Sequence, residues 1–334
     1  MILPALFVGG LFYVTFQRTP EPPKQTVVQG EALGTTWVVK SSEPYSEDAE
    51  ASLRTIVESA LAEVDAQMST YRDDSELMAI NRSASTEAMK VSPELRAVLS
   101  ESLLVGSQSK GAFDVTVGPL VRAWGFGPDD RRTPPEEGML EDLKSKVGLD
   151  KIRLEADQVW KSDPDVEIDL SAIAKGYAVD LVVSRLETSG RNNLMAEVGG
   201  EIVARGLNPA GKPWRLGIEK PSEDGRVVHE VVELKDAAMA TSGDYRNYYE
   251  LNGQRVSHLI DPRTMQPIAH HLASVTVVAS KCSTADAWAT ALSVMGEEDG
   301  LRLANDLGLA ALFLVRDTDG SFSTHTSKGF EALK

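Results

Sequence analysis

Cysteine is nearly absent from this chain. Among 334 residues only Cys282 carries a thiol, so no internal disulfide can form and Cys-rich zinc or iron–sulfur centres are excluded. Histidine is scarce as well. Five histidines, two of them adjacent at His270 and His271, leave little room for a His-rich metal centre. Any metal falls to oxygen ligands, which suit Mg2+ or Ca2+. Positive charge is also short: 34 Lys and Arg face 50 Asp and Glu, for a net charge of −16. No basic stripe is present to neutralise a phosphate backbone, which argues against nucleic acid as a partner. The same deficit means that a bound polyphosphate needs a cation to offset repulsion. Nucleotide loops are missing. There is no G-x-G-x-x-G after a strand, no Walker loop and no G-x-S-x-G elbow, so a Rossmann flavoprotein or an ATPase is not supported. No fixed-period repeat is visible.

What is present is a globular composition, 42% hydrophobic, long enough for one large domain or two ordinary ones. Residues 1–24 stand apart. Positions 2–16 are apolar without a charge, Arg18 follows, and Pro20-Glu21-Pro22-Pro23 makes a tether. The run is short for a spanning helix, which wants roughly 20 residues. It suits a signal h-region or an uncleaved N-terminal anchor, with a docked strand or a misassigned start as the alternative. An anchor would tether residues 25–334 to a membrane.

Within 25–334, periodicity predicts a strand over 27–39, with Gly34-Thr35-Thr36-Trp37 inside it. An amphipathic helix follows over 46–67. A polar loop opens at Met68, and Ser75 or Asp74 caps a short helix reaching Asn81. Residues 93–107 read as another helix, and 111–120 as a strand or turn with Phe113 and Asp114. Strands are expected over 152–160, 166–170, 194–198, 214–218, 227–234 and 273–279, and a helix over 283–295. The mixture is α+β with much antiparallel sheet.

One stretch organises the rest. Val166, Ile168 and Leu170 alternate with Glu167 and Asp169, as in a strand. Ser171 is a plausible N-cap for the helix whose apolar face is Ile173, Ala174, Tyr177, Ala178 and Leu181. This tight corner carries Asp169 before it and Lys175 just inside it. Its small residues admit a close ligand, and a helix N-terminus favours phosphate. The plainer alternative is an ordinary connection with Asp169 and Lys175 solvated or paired to each other.

Three further places combine small, acidic and hydroxyl residues: Glu197-Val198-Gly199-Gly200, Thr241-Ser242-Gly243-Asp244, and Asp286 with Thr290. The last two residues project from one helix face at i and i+4 and can hold a hard cation. Alternatively Ser283-x-x-Asp286 is a capping box. His258, in a turn before Asp261-Pro262, is either a general base or structural.

Taken in order, these pieces resemble the ApbE family, the FAD:protein FMN transferases. The matching segments are Gly34-Thr35-Thr36-Trp37, Met68-Ser69-Thr70-Tyr71 with Ser75-Glu76 and Asn81, and Gly111-Ala112-Phe113-Asp114 with Val117-Gly118-Pro119-Leu120. They continue with residues 168–177, Val198-Gly199-Gly200, Ala240-Thr241-Ser242-Gly243-Asp244-Tyr245, His258-Leu259-Ile260-Asp261-Pro262, and Thr284-Ala285-Asp286-Ala287 with Thr290. The resemblance implies a T-fold-like α+β protein, largely antiparallel, with FAD in a cleft between two lobes. It implies Mg2+-dependent cleavage of FAD and transfer of FMN as a phosphoester to a Thr or Ser of a target protein, releasing AMP. Hydrolysis of FAD to FMN and AMP, or flavin binding without turnover, are the alternatives. By position, the metal ligands would be Asp286, Thr290 and the main-chain oxygen of Ala172. Flavin contacts would come from Met68, Tyr71, Glu76, Phe113, Asp114, Lys175, Gly199, Thr241 and Asp244. His258 would act near the acceptor hydroxyl, within a D-x-x-[ST]-G-A-[ST] motif of a redox-complex subunit. Asp286 and Lys175 would complete the catalytic set. Ser171 stands where the family usually has Gly, Glu197 where Asn or Asp is common, and Met265 where a turn Gly is frequent.

Overall fold

Eight strands make the central sheet: β1 (Thr26–Ala32), β2 (Thr35–Ser41), β3 (Leu194–Val198), β4 (Glu201–Arg205), β5 (Ala237–Gly243), β6 (Leu272–Ala279), β7 (Ala310–Arg316) and β8 (Phe322–Thr326). Their order in space is their order in the chain, and every neighbouring pair is antiparallel. The computed structural model describes residues 25–127, 131–221, 227–244 and 247–333. The candidate anchor and tether at 1–24 lie outside the described residues, as does Tyr245. Among the described residues no helix is long and apolar enough to cross a membrane.

The expected single strand over 27–39 is a hairpin. Leu33 and Gly34 both take positive φ, 54° and 70°, as do Gly199 and Gly200 at 61° and 101°. Two consecutive left-handed residues are what a tight hairpin turn needs, and glycine supplies them without a Cβ penalty. Thus β1 folds onto β2, and β3 onto β4.

The meander is interrupted by long excursions. Between β2 and β3 lie α1 (Glu47–Met68), α2 (Glu76–Arg82), α3 (Pro93–Gln108) and α4 (Ala174–Thr188). Between β6 and β7 lie α5 (Cys282–Met295) and α6 (Glu297–Leu307). The strands' alternation sorts side chains to two faces. Val39, Ala196, Val203, Ala240 and Val277 join one core with Leu61 of α1, Val182 of α4 and Leu292 of α5. Met195, Ala204, Met239, Val278 and Leu312 join a second core under the hairpin Trp214–Lys220 and Val227–Leu234. Buried on both faces, β6 is apolar apart from Ser274 and Thr276. α5 is buried on 11 of its 14 residues, which suits its alanine-rich sequence; Ser283, Asp286 and Ser293 are the buried polar exceptions. A third, small cluster of Phe126, Tyr249 and Val256 stands beside His258.

Two local expectations are corrected. Residues 166–170 keep their alternating burial but join no strand ladder. The Asn81 side chain takes the place of a neighbouring strand, donating to the Ile168 carbonyl and accepting from its N–H, both at 2.8 Å. Ser171 is not the N-cap of α4: the helix begins at Ala174, and Ser171 instead donates its N–H and hydroxyl to Asp169 Oδ1 at 2.8 and 2.5 Å. An Asx turn competes with capping for the same short polar residues.

Candidate active site

The corner at 168–176 is held from below. Asn81 clamps Ile168, and the Asp169 N–H donates to the Val115 carbonyl at 2.7 Å. Lys161, fully buried, donates to the carbonyls of Asn81, Ser83 and Pro164 at 3.2, 3.1 and 2.7 Å, and burial pulls its pKa down. Three carbonyls satisfy all three ammonium hydrogens, so the lysine braces α2 against the chain entering the corner.

The first turn of α4 is irregular in a useful way. In a regular helix the Gly176 N–H would bond the Ala172 carbonyl. Here it donates to Asp286 Oδ2 at 3.0 Å, and among the described residues no backbone N–H bonds the Ala172 oxygen. Gly176 permits this closeness: a Cβ there would lie 2.4 Å from the Cys282 carbonyl oxygen. Asp180, one turn on, accepts from the N–H groups of Cys282 and Ser283 at 2.8 and 2.9 Å. Burial raises the Asp180 pKa, and these bonds hold it down in part. The N-terminus of α5 is therefore capped by α4. Ser283 gives its hydroxyl to Glu101 at 2.8 Å, so the Ser283-x-x-Asp286 capping box does not form. Asp286 is left to face the corner.

Lys175 is the centre of charge. Its Nζ donates to Glu201 Oε1 at 2.5 Å and stands 3.8 Å from Asp286 Oδ2; Asp169 is not its partner. Burial disfavours its charge, yet the Asp286 and Glu201 carboxylates outweigh that and raise its pKa, so it remains an ammonium. Glu201 is only 4% exposed. Burial pushes its pKa up to about 7, with Lys175 pulling down and Asp286 pushing up. Gly199 crosses above: a Cβ on it would come within 3.3 Å of Lys175 Cδ and 2.9 Å of Thr35. Glu197 accepts from the Gly200 N–H at 2.7 Å and braces that turn. Thr290, one turn beyond Asp286 on α5, is half-buried.

The neighbouring wall is built from β5 and the segment after it. Thr241 bonds Thr276 hydroxyl to hydroxyl at 2.8 Å. Asp244 is buried and paired to Arg316 at 3.1 Å, with Arg255 at 3.8 Å. His258 Nδ1 lies 2.9 Å from the Asn247 carbonyl. A carbonyl only accepts, so Nδ1 carries the proton and Nε2 keeps its lone pair in the neutral ring. Burial lowers the His258 pKa, opposed by the Asn247 bond and Asp244 and reinforced by Lys175.

Lys175, Gly199, Glu201 and Asp286 thus come together at the corner that contains Ala172, while His258 and Asp244 stand on the next wall. The remaining expected contacts also bond or pack within the surrounding framework. Glu76 takes the N–H and hydroxyl of Ser92 at 2.6 and 2.7 Å, at the start of α3. Asp114 takes the N–H and hydroxyl of Thr116 at 2.8 and 2.6 Å, and burial raises its pKa. Phe113 and Met68 are buried in the main core. Tyr71 is the opposite case, 76% exposed on a loop that Arg72 braces through Asp65 and Asp74. Among the described residues no group of three or more His, Cys, Asp or Glu gathers for a metal. A cleft of about 610 Å3 borders the corner beside Asn81, Pro119, Arg122 and Glu167, away from Lys175 and Asp286.

Comparison with known proteins gives this arrangement a context. The model of the ApbE family matches residues 33–313. The chain belongs to the ApbE family. It is 44% identical to an FAD:protein FMN transferase of Vibrio cholerae over 313 residues, covering 93% of both chains. It is 38% identical to an FAD:protein FMN transferase of Escherichia coli K12 over 340 residues, covering 98% of this chain and 96% of that one. The fold is similar to the solved structure of the flavin transferase ApbE from Vibrio cholerae, with a TM-score of 0.85, 41% identity, and coverage of 94% and 100%. Large antiparallel sheet and packed helices are common to both. Within this ApbE frame, Glu201, Asn81, Asp180 and Glu101 are the contributors that local sequence pattern does not expose as a set. Asn81 enters through the family resemblance alone, and no local pattern singles out Glu201.

Proposed function

We infer that this protein is an FAD:protein FMN transferase, moving FMN from FAD to a Thr or Ser hydroxyl of a target protein. The observation that carries this is the Lys175, Glu201 and Asp286 cluster at the corner, in a chain that aligns along nearly its whole length with FAD:protein FMN transferases. The reaction joins the acceptor oxygen to the FMN phosphorus, breaks the pyrophosphate P–O bond and releases AMP. His258 Nε2 receives the hydroxyl proton as the oxygen attacks. Lys175 offsets charge on the phosphate oxygens. Tyr71, exposed and unstacked, offers a face to the isoalloxazine, and Gly199 leaves room above Lys175.

The donors fit Mg2+: one carboxylate (Asp286), one hydroxyl (Thr290) and the Ala172 carbonyl that the helix leaves without an N–H. When bound, the ion neutralises pyrophosphate charge that a protein of net charge −16 cannot offset alone. The finer reading is a T-fold-like body whose two lobes hold FAD in the cleft between α4, β4 and the His258 segment. Residues 1–24 act as a tether to the inner membrane, with residues 25–334 as the transferase on its periplasmic face. The acceptor presents a D-x-x-[ST]-G-A-[ST] segment.

The test mixes full-length protein, FAD, Mg2+ and a fragment bearing that motif, and reads in-gel flavin fluorescence. The expected result is a fluorescent fragment that EDTA abolishes. Free FMN and AMP with an unlabelled fragment would contradict transfer to this acceptor.

A further inference from the structure

Lys175 stands between two carboxylates in unequal contact. Glu201 Oε1 is at 2.5 Å and Asp286 Oδ2 at 3.8 Å. The inequality matters because Asp286 is the carboxylate of the metal set proposed above. An ammonium free to move about 1 Å closer would form a contact ion pair with it. At an effective dielectric of about 20, closing a gap from 3.8 Å to about 2.8 Å strengthens the attraction on the order of tenfold in an equilibrium constant. That bond would compete directly with a cation.

Glu201 is built to prevent this. It is the first residue of β4, fixed opposite Val198 by the turn at Gly199 and Gly200. Its side chain is buried, so it has little freedom to follow the lysine. Besides Lys175 its carboxylate has support only from the Thr241 backbone, and its second oxygen, Oε2, is buried with no close hydrogen bond among the described residues. A half-satisfied buried carboxylate is costly, and packing alone gives no reason for one here. Lys175 itself is the mobile partner, with 34% of its side chain exposed and a long stem.

We propose that Glu201 is a positioning residue that holds the Lys175 ammonium off Asp286, keeping that carboxylate open to a divalent cation. The proposal rests on the reading of Asp286 as a cation ligand. Its geometry also explains why one lysine serves phosphate and leaves the metal site free.

The test measures binding of Mn2+ alone, without FAD, to the full chain by electron paramagnetic resonance. Six proteins are compared: wild type, Asp286→Ala, Glu201→Gln, Glu201→Asp, Lys175→Ala, and the Glu201→Gln, Lys175→Ala double variant. Glu201→Gln is expected to weaken Mn2+ on the order of tenfold. In the Lys175→Ala background the same change is expected to have no effect, because the competing ammonium is gone. Glu201→Asp, which keeps a carboxylate, is expected to bind Mn2+ more tightly than Glu201→Gln; a melting curve of each variant checks that it folds. Equal weakening by Glu201→Gln in both backgrounds would overturn the proposal, since Glu201 would then be only a nearby charge. No weakening in Glu201→Gln, with Mn2+ lost in Asp286→Ala, would overturn the proposal and leave the metal reading intact. Undiminished Mn2+ binding in Asp286→Ala would remove both.

Discussion

His258 shows how much one hydrogen bond decides. The Asn247 carbonyl fixes the proton on Nδ1, and burial lowers the ring's pKa from its usual 6.5. A depressed histidine favours its neutral form in the folded protein. Its contribution to stability is therefore present above pH 6.5 and is lost as pH falls through the folded value. On the proposed reading the same protonation removes the base, so flavin transfer is expected to stay level near pH 7 and to fall on an acid limb below 6.5. His258→Gln is expected to lower transfer by roughly 10²- to 10⁴-fold and to erase that limb. A limb that persisted unchanged in the variant would assign it to another group. Tyr71 makes a cleaner separation of binding from folding. At 76% exposure it supports no core, so Tyr71→Ala is expected to raise the KM for FAD about tenfold and leave the melting temperature unchanged. An unchanged KM would remove the stacking role.

At the scale of elements, the site depends on how closely α4 and α5 meet. Gly176 lies against backbone atoms of Cys282 and Ser283, which cannot swing aside as a side-chain tip can. In an exposed helix, Gly→Ala gains about 1 kcal/mol of propensity. Here a methyl 2.4 Å from a carbonyl oxygen overpacks the junction, at a cost of about 3 kcal/mol. Gly176→Ala is therefore expected to lower thermal stability, measured by calorimetry, and to disturb the bond to Asp286. A neutral or stabilised variant would mean that the helices separate freely. The same junction shows what was legible in the sequence. The alternation over 166–170 and the apolar face of α4 were visible because they are local periodicities. The partners that complete them were not. Asn81 reaches Ile168 across 87 positions, and Asp180 caps α5 across 102. Ser171 and Ser283 matched cap patterns, but nearer or stronger acceptors claimed them. Glu201 looked like an ordinary strand residue because nothing local reveals that Lys175 lies opposite. The pairing of Asp286 with Thr290 on one helix face was readable from the i and i+4 spacing alone, since both stand on α5.

At the scale of the molecule, a sequential eight-stranded meander brings distant excursions to one end of α4 and α5. The corner arrives from the β2–β3 excursion, Asp286 from the β6–β7 excursion, and His258 from the β5–β6 segment. The mixed α+β class was readable from element types, whereas the strand order was hidden by insertions far longer than the strands. An acidic protein that handles a pyrophosphate needs positive charge from elsewhere, and the proposed function ties the global charge balance to Lys175 and the proposed cation. The most direct measurement of this account follows AMP release and protein-bound flavin together, in wild type and in Asp286→Ala. The account expects one AMP for each flavin on the acceptor in wild type, and neither product in the variant. AMP without protein-bound flavin, or full transfer by Asp286→Ala, would contradict it.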